Sequence, residues 1–386
     1  MDFSLGAQAE QFRLEVRQFL EAHMTEEIRR EAWRTGTLHN WELHRALAQR
    51  GWIAPQWPVE MGGQGRTDFE MVAMNEELAA AGVPNDGRST TMLVVETLRV
   101  VGTPDQQRDI IPRVLGGDIL ICLGYSEPDS GSDVAAAKTT AARSGSDWVI
   151  NGQKMFTTLA HESAYCFLLA RTDSTVAKHR GLTMFLVPMD APGVTFTPIE
   201  TLGGQLVNVT FFSDVTVPDS ARVGDVNGGW DVMTVGLAVE RTSPIGPGPL
   251  LDQVVGWASA QPSDGGSRRI DAPHVRSALA NAAIEAEVAR LLFYKSVWVG
   301  TRGAPPVVEG SMSKLFGSEA YNRVLADIID SIGPEAIVSS PPNGTSVGGE
   351  LEHAFRYAPF YTIAGGVSEI QREIIATRGL GLPRSR

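Results

Sequence analysis

Cysteine is nearly absent: Cys122 and Cys166 are the two in 386 residues. Two thiols are too few for a disulfide framework or a thiolate zinc site. They read as buried packing residues in a reducing compartment. No stretch approaches the roughly 18 consecutive apolar residues of a membrane span. The opening MDFSLGAQAEQ lacks the basic-then-apolar pattern of an export signal. Basic charge is scarce, with 33 Lys and Arg against 45 Asp and Glu and a net charge of −12. That balance argues against a partner that is nucleic acid or an anionic membrane, since either needs a basic face. No Gly-x-Gly-x-x-Gly follows a strand pattern, so a Rossmann unit has no support. The 7 histidines show no metal-ligand spacing. The segment Gly82 to Ser89 (GVPNDGRS) imitates a phosphate loop but follows a helical stretch rather than a strand. Gly124-Tyr125-Ser126-Glu127-Pro128 lacks the second glycine of a nucleophile elbow. What remains is an acidic, soluble, cytoplasmic protein of more than one domain that holds a small molecule.

What is there falls into three blocks. Residues 3–118 read as helical: Phe12, Val16, Phe19, Leu20 and His23 share one face at helical spacing. Further helices are expected at 40–51, 68–82, 91–102 and 104–115, separated by breakers such as Gly62-Gly63-Gln64-Gly65. From 119 to about 225 come short runs rich in Val, Ile, Thr and aromatics, with Asn151-Gly152 and the stretch Asp190 to Gly193 as turns. Strands are expected at 119–125, 135–143, 147–151, 165–171, 182–188, 194–200 and 206–217. No helix interrupts them, so the middle block reads as an antiparallel β domain. Helical periodicity returns at 230–258, 272–300, 308–332, 350–360 and 368–378, with 261–270 and 339–348 as exposed loops. The fold class is α+β, with domains at 1–118, 119–226 and 227–386.

Several segments suit ligand chemistry. Tyr125 to Asp133 (YSEPDSGSD) follows an apolar strand, and its hydroxyls and glycine can present donors to a flat polar ligand. Taken alone it reads equally as a solvated hairpin. Gly152 to Thr158 (GQKMFTT) ends a strand in an aromatic beside two hydroxyls, which suits a ring system but also an ordinary β core. In Ala364 to Arg372 (AGGVSEIQR), Ser368 and Gln371 form an expected capping box behind paired glycines. Such a helix start suits a phosphate or a developing oxyanion. Glu240-Arg241 lies in an otherwise apolar helical stretch, where a carboxylate is costly unless paired or used. A salt bridge is the commoner explanation from composition alone.

In this order the segments resemble the acyl-CoA dehydrogenase family over nearly the whole chain. Trp57-Pro58-x-Glu60-x-Gly62-Gly63 and the closing Leu380-Gly381-Leu382-Pro383-Arg384 match as well. The resemblance implies N-terminal helices, a middle β-barrel domain and a C-terminal four-helix bundle, with FAD as cofactor. It implies that Leu123, Tyr125, Ser126, Gly131 and Ser132 face the flavin and the acyl-CoA. Phe156, in place of the usual Trp, and Thr158 would cover the isoalloxazine. Gly366, Val367 (in place of the common Thr) and Glu369 would meet FAD at the helix start.

Many family members carry the catalytic base as Tyr-Glu-Gly-Thr before the last helix. Here that place reads Ala364-Gly365-Gly366-Val367, so Gly365 supplies no base, only a backbone N–H for the thioester oxygen. A subset with isovaleryl-type and bacterial steroid side-chain dehydrogenases carries the glutamate on a bundle helix just before Arg. Glu240 fits that pattern, with Arg241 steadying the CoA arm. Removing a proton alpha to a thioester needs a desolvated base and donors at the enolate-like oxygen. The flavin N5 then takes the beta hydride, giving a trans-2-enoyl-CoA, and an electron-transfer flavoprotein takes the electrons. A flavin oxidase or monooxygenase on the same fold, and a flavin-poor supporting subunit, are the competing expectations.

The family's Phe-Gly after the first bundle helix is missing from Ser259 to Arg268, and its Gln-x-Phe-Gly-Gly is reduced to Asp330-Ser331-Ile332-Gly333-Pro334. Those losses resemble the steroid-type enzymes built as heterotetramers with a related subunit, although a homodimer or homotetramer stays open. Gly87, Ser89 and Thr90 permit a wide pocket, and the acyl chain itself, fatty or steroid, is left open.

Overall fold

A computed structural model describes residues 3–240, 245–260, 267–303, 305–339 and 347–384. The N-terminal block holds α1 (Ala7–His23), α2 (Glu26–Thr35), α3 (Trp41–Gln49), α4 (Asp68–Ala80), α5 (Asp86–Val101) and α6 (Pro104–Leu115). Their starts follow capping chemistry. Thr67 with Glu70, and Thr103 with Gln106, form capping boxes before α4 and α6, and Pro104 occupies the first turn of α6. The expected apolar face of α1 is buried at Phe12, Val16, Phe19 and Leu20. His23 instead lies exposed, its ring stacked 4.2 Å from that of Phe19. Helix α5 begins at Asp86, a turn earlier than its apolar pattern suggests.

Among the described residues the middle block is an eight-stranded sheet. Its strands are β1 (Ile121–Gly124), β2 (Thr140–Ser144), β3 (Asp147–Lys154), β4 (Tyr165–Arg171), β5 (Leu182–Pro188), β6 (Val194–Glu200), β7 (Leu206–Pro218) and β8 (Arg222–Val223). The order is β6-β7-β3-β2-β4-β5-β8, with β1 paired to β4. Most pairs are antiparallel, as expected, but β1 and β2 both run parallel to β4. Both faces are covered. Phe167, Leu169 and Met184 join the core shared with the N-terminal helices, while Cys166, Leu168 and Phe185 point into a second core with Trp148, Ile150 and Val215. That explains why β4 reads as a continuous apolar run rather than an alternation.

Asn151-Gly152 is not a turn. It lies inside β3, where the register against β7 shifts between Ile150 and Gly152. Gly152 sits at φ 146°, and a Cβ there would meet Thr139 at 2.6 Å. The Asn151 amide exchanges hydrogen bonds with Asp214 across the strands, both at 2.9 Å. A bulge thus uses the residues that commonly make hairpins.

The C-terminal block contains α7 (Gly229–Glu240), α8 (Gly248–Ala260), α9 (Pro273–Gly300), α10 (Val307–Ile332), α11 (Val347–Ile363) and α12 (Ser368–Ile374). The single helix expected at 230–258 is two, with Pro244 and Pro247 in the intervening sequence. Helices α8 to α11 share one core: Leu251 and Val254, Val275 and Leu279, Val324 and Ile328, Leu351 and Ala358. Of the expected loops, 261–266 and 340–346 lie outside the described residues. Helix α7 packs away from this bundle, with Val232 and Met233 in the core of the N-terminal helices and sheet. It therefore bridges the blocks.

Candidate active site

The loop after β1 is built around a buried ion pair. Lys154, at the end of β3, places Nζ 2.7 Å from Glu127, with both side chains at most 5% exposed. Nζ also donates to the Tyr125 carbonyl at 3.1 Å. The Glu127 carboxylate accepts from the backbone N–H groups of Lys138 (2.6 Å) and Thr139 (2.9 Å). Burial acts to raise the Glu127 carboxyl, but the Lys154 charge and these donors outweigh it and hold the carboxyl below its ordinary range. Desolvation lowers the Lys154 ammonium by more than Glu127 raises it. The pair fixes the loop's path. Met155 N–H donates to the Ser126 carbonyl at 2.9 Å, so 125–126 and 154–156 lie side by side.

Phe156 follows in the left-handed region at φ 61°, a strained backbone for an aromatic residue. Its ring is 58% exposed. Thr157 N–H donates to the Asn208 carbonyl at 2.9 Å, and Asn208 returns bonds from its own N–H and its Nδ2 to the Thr157 carbonyl. These bonds pin the segment to β7 and leave the aromatic turned outward. Leu123, Tyr125, Ser126 and Thr158 are half-buried nearby in the chain, while Gly131 and Ser132 are exposed on the loop. Thr157 Oγ1, Ser130 Oγ and Thr210 Oγ1 are buried without partners among the described residues.

Helix α7 borders the same loop. A Cβ at Gly236 would lie 2.9 Å from Thr97 Oγ1 of α5 and 3.9 Å from Tyr125 Oη. Residue 240 lies one turn farther along the same helix face. Arg241 lies outside the described residues, as does the side chain of Glu240.

The expected capping box at 368–371 is not formed. Val367 is the N-cap, without a side-chain cap bond, and Ser368 is the first helical residue, its Oγ buried and without a partner among the described residues. Gln371 reaches back instead, donating from Nε2 to the carbonyls of Gly365 (3.0 Å) and Gly366 (3.1 Å). Lys314 Nζ of α10 donates to the same Gly366 carbonyl at 2.6 Å. Gly365 and Gly366 sit at φ 69° and 91°. A Cβ at Gly366 would approach Gln371 Nε2 to 2.8 Å, so the turn requires glycine. The Gly365 N–H finds no acceptor among the described residues. Val367 is half-buried and Glu369 exposed in the first turn of α12. Among the described residues no hydrogen bond joins 365–369 to the 123–158 segment; Lys314 and Gln371 position it. Gln371 and Lys154 fall within segments already singled out in the sequence, whereas Asn208 is marked only as a polar residue in the apolar run Leu206-Val207-Asn208-Val209.

An exposed aromatic held in a strained conformation, a set of unpartnered buried hydroxyls and a glycine turn fit a flat, polar cofactor such as a flavin.

At the start of α5, Asp86 carries no ion pair among the described residues, and desolvation pushes its carboxyl up from 3.8 to about 6. It keeps partial exposure, so the cause is the close protein around it rather than complete enclosure. The folded protein then holds a proton that the unfolded chain releases. This contribution to stability is complete below about pH 3.8 and declines as the pH rises through 6. Asp86→Asn is expected to remove that decline and to raise stability at pH 7 by about 1–2 kcal/mol, read by urea unfolding across pH 4–7.

Comparison with known proteins accords with this geometry. The acyl-CoA dehydrogenase N-terminal, middle and C-terminal domain families match residues 6–118, 122–215 and 227–380. The acyl-CoA dehydrogenase FadE26 of Mycobacterium tuberculosis is 36% identical, covering 100% of both chains. A chain in the crystal structure of the ChsE4–ChsE5 complex from Mycobacterium tuberculosis superposes with a TM-score of 0.90 at 36% identity, again over 100% of both. A chain of the Tcur3481–Tcur3483 steroid ACAD gives 0.89 at 32% identity, over 100% of both. With all three domains matched and such relatives along its whole length, the chain belongs to the acyl-CoA dehydrogenase family of oxidoreductases.

Proposed function

We propose that this protein is an FAD-dependent acyl-CoA dehydrogenase that converts an acyl-CoA thioester into its trans-2-enoyl thioester, with Glu240 as base. The observation that carries the reading is the meeting of Tyr125 with α7 at Gly236. It brings the helix that ends at Glu240 to the loop bearing the flavin landmarks. FAD would be held by Leu123, Tyr125, Ser126, Gly131, Ser132, Phe156 and Thr158, and by Gly366, Val367 and Glu369. When bound, it supplies the acceptor for the beta hydride. Glu240 takes the alpha proton, and the Gly365 N–H donates to the thioester oxygen as negative charge gathers there. Arg241 and Ser132 steady the CoA arm. One proton and one hydride leave, and the Cα–Cβ bond becomes double.

Electron-transfer flavoprotein is the proposed electron acceptor. A related subunit is the proposed partner, completing the cofactor site to which the 259–268 segment brings no Phe-Gly. Two of the structural relatives are described as two-component complexes, which supports that reading. The test is anaerobic mixing of the purified protein, alone and with a co-expressed partner, with a panel of acyl-CoAs. Bleaching of bound flavin with formation of the enoyl thioester is expected. Absence of bleaching by every thioester in both preparations would overturn the reading.

A further inference from the structure

A polar cluster at the far end of α5 is used by none of the roles above. Gln205, 6% exposed in the β6–β7 connection, donates from Nε2 to Tyr357 Oη at 2.6 Å. The same nitrogen lies 3.5 Å from Asp86 Oδ2, the carboxylate's one side-chain hydrogen bond among the described residues. The Tyr361 ring packs edge-on against Tyr357 at 5.1 Å and lies 5.7 Å from that of Tyr321. The neighbouring Arg88 turns away, donating from Nε to the Ile53 carbonyl at 3.0 Å. Four chain segments thus deliver a carboxylate, an amide and three phenols to one place, and among the described residues the carboxylate has no ion pair.

Its position relative to the site follows from α5. Thr91 Oγ1 accepts from Ile121 N–H at 2.9 Å, and Leu93 and Thr97 adjoin Gly236. The helix therefore runs alongside β1 from the cluster to the Tyr125–α7 junction. Asp86, Ser89, Thr90 and Leu93 recur on one of its faces, and Ser89 is exposed. From residue 86 to residue 93 the rise is roughly 10 Å, the reach of a medium-length or ring-bearing acyl tail.

Asp86 suits the first turn of α5, but among the described residues one long hydrogen bond, 3.5 Å from Gln205, is all that holds its carboxylate, and it keeps partial exposure, so it can accept from a ligand. The cluster offers a defined chemistry. An ionised carboxylate only accepts, while a phenol can donate to a ligand oxygen. A hydroxyl satisfies both at once, a ketone only the phenol, and a methyl group neither.

We propose that Asp86, Gln205, Tyr357 and Tyr361 recognise a hydroxyl group at the far end of the acyl tail, making this a dehydrogenase for hydroxylated acyl thioesters. The inference rests on the proposed dehydrogenase activity. A site that hydrogen-bonds a hydroxyl discriminates against the analogue lacking it, which binds without those bonds and sets an apolar group against the cluster.

The experiment uses the FAD-loaded protein with its co-expressed partner. Straight-chain and fused-ring acyl-CoAs of increasing length are compared, each as a matched set with a terminal hydroxyl, a terminal ketone or neither. Flavin bleaching gives kcat/KM, and calorimetry gives binding. At one length or more, the hydroxylated member is expected to exceed both matches by about 10-fold or more. Asp86→Asn and Tyr361→Phe are each expected to reduce that ratio to about 3-fold or less, a change of preference that a purely structural role would not produce. Equal use of the three members at every length, or a preference that survives in both folded variants, would overturn the proposal. If no thioester bleaches the flavin, the dehydrogenase reading fails by itself. Calorimetry then decides this one: hydroxyl-selective binding lost in Asp86→Asn upholds the recognition site, and its absence overturns it.

Discussion

Lys154→Met is expected to destabilise the protein by about 3–5 kcal/mol, the usual consequence of removing one partner from a buried ion pair. The substitution leaves Glu127 with two backbone N–H donors and no cation, in a place with almost no access to water. Burial then dominates the carboxyl, which takes up a proton and loses acceptor strength toward Lys138 and Thr139. The Tyr125 carbonyl loses its Nζ donor in the same step. Because 125–126 is carried on this pair, FAD retention should fall together with stability. Adding Glu127→Gln to Lys154→Met should recover part of the loss, since the uncompensated charge is gone. pH supplies a second signature. The folded Glu127 carboxyl lies below its ordinary 4.5, so its stabilisation is complete above that value and is lost as the pH falls through the lower folded value. Lys154→Met should flatten that acid limb. Urea unfolding at several pH values, with flavin absorbance of the purified protein, measures both effects; an unchanged midpoint and full flavin content would refute the role given to the pair.

The sequence conveyed block order well because periodicity reports burial directly. Helix α4 at 68–80 and strands β4 and β5 follow from which residues must face a core. It conveyed local exceptions poorly. Asn151-Gly152 carries a hairpin signal, yet the exchange with Asp214 and the approach of Thr139 make it a bulge. Ser368 and Gln371 have capping-box spacing, but the pull of Gln371 and Lys314 on the Gly366 carbonyl moves the helix start by one residue. In both cases a long-range partner overrides a short-range preference. The site divides in the same way. The proposed landmarks stand in contiguous motifs that a sequence can display, whereas the supports come from positions far apart in the chain. Nothing local to Lys154 announces Glu127, 27 residues away, and nothing near Gly236 announces Tyr125.

Glu240→Gln is expected to lower the rate of flavin reduction by about 10²–10⁴-fold while leaving the protein folded and FAD-loaded. Glutamine keeps the size and polarity of the side chain but cannot accept the alpha proton at neutral pH. The argument for residue 240 is positional. Helix α7 meets α5 through Gly236, where any side chain would press on Thr97, and this close contact sets the helix against Tyr125. One turn farther on, the helix ends at residue 240, where the chain leaves the apolar stretch. The alternative place for a base, before α12, is occupied by Gly365, which has no side chain to ionise. If another residue were the base, Glu240→Gln would reduce flavin at nearly the wild-type rate with the best acyl-CoA. A salt-bridge role predicts a different split again, with lowered thermal stability and a kcat close to wild type. Stopped-flow bleaching beside a thermal unfolding midpoint separates these outcomes. A rate loss with an unchanged midpoint is the result that ties the alpha proton to Glu240.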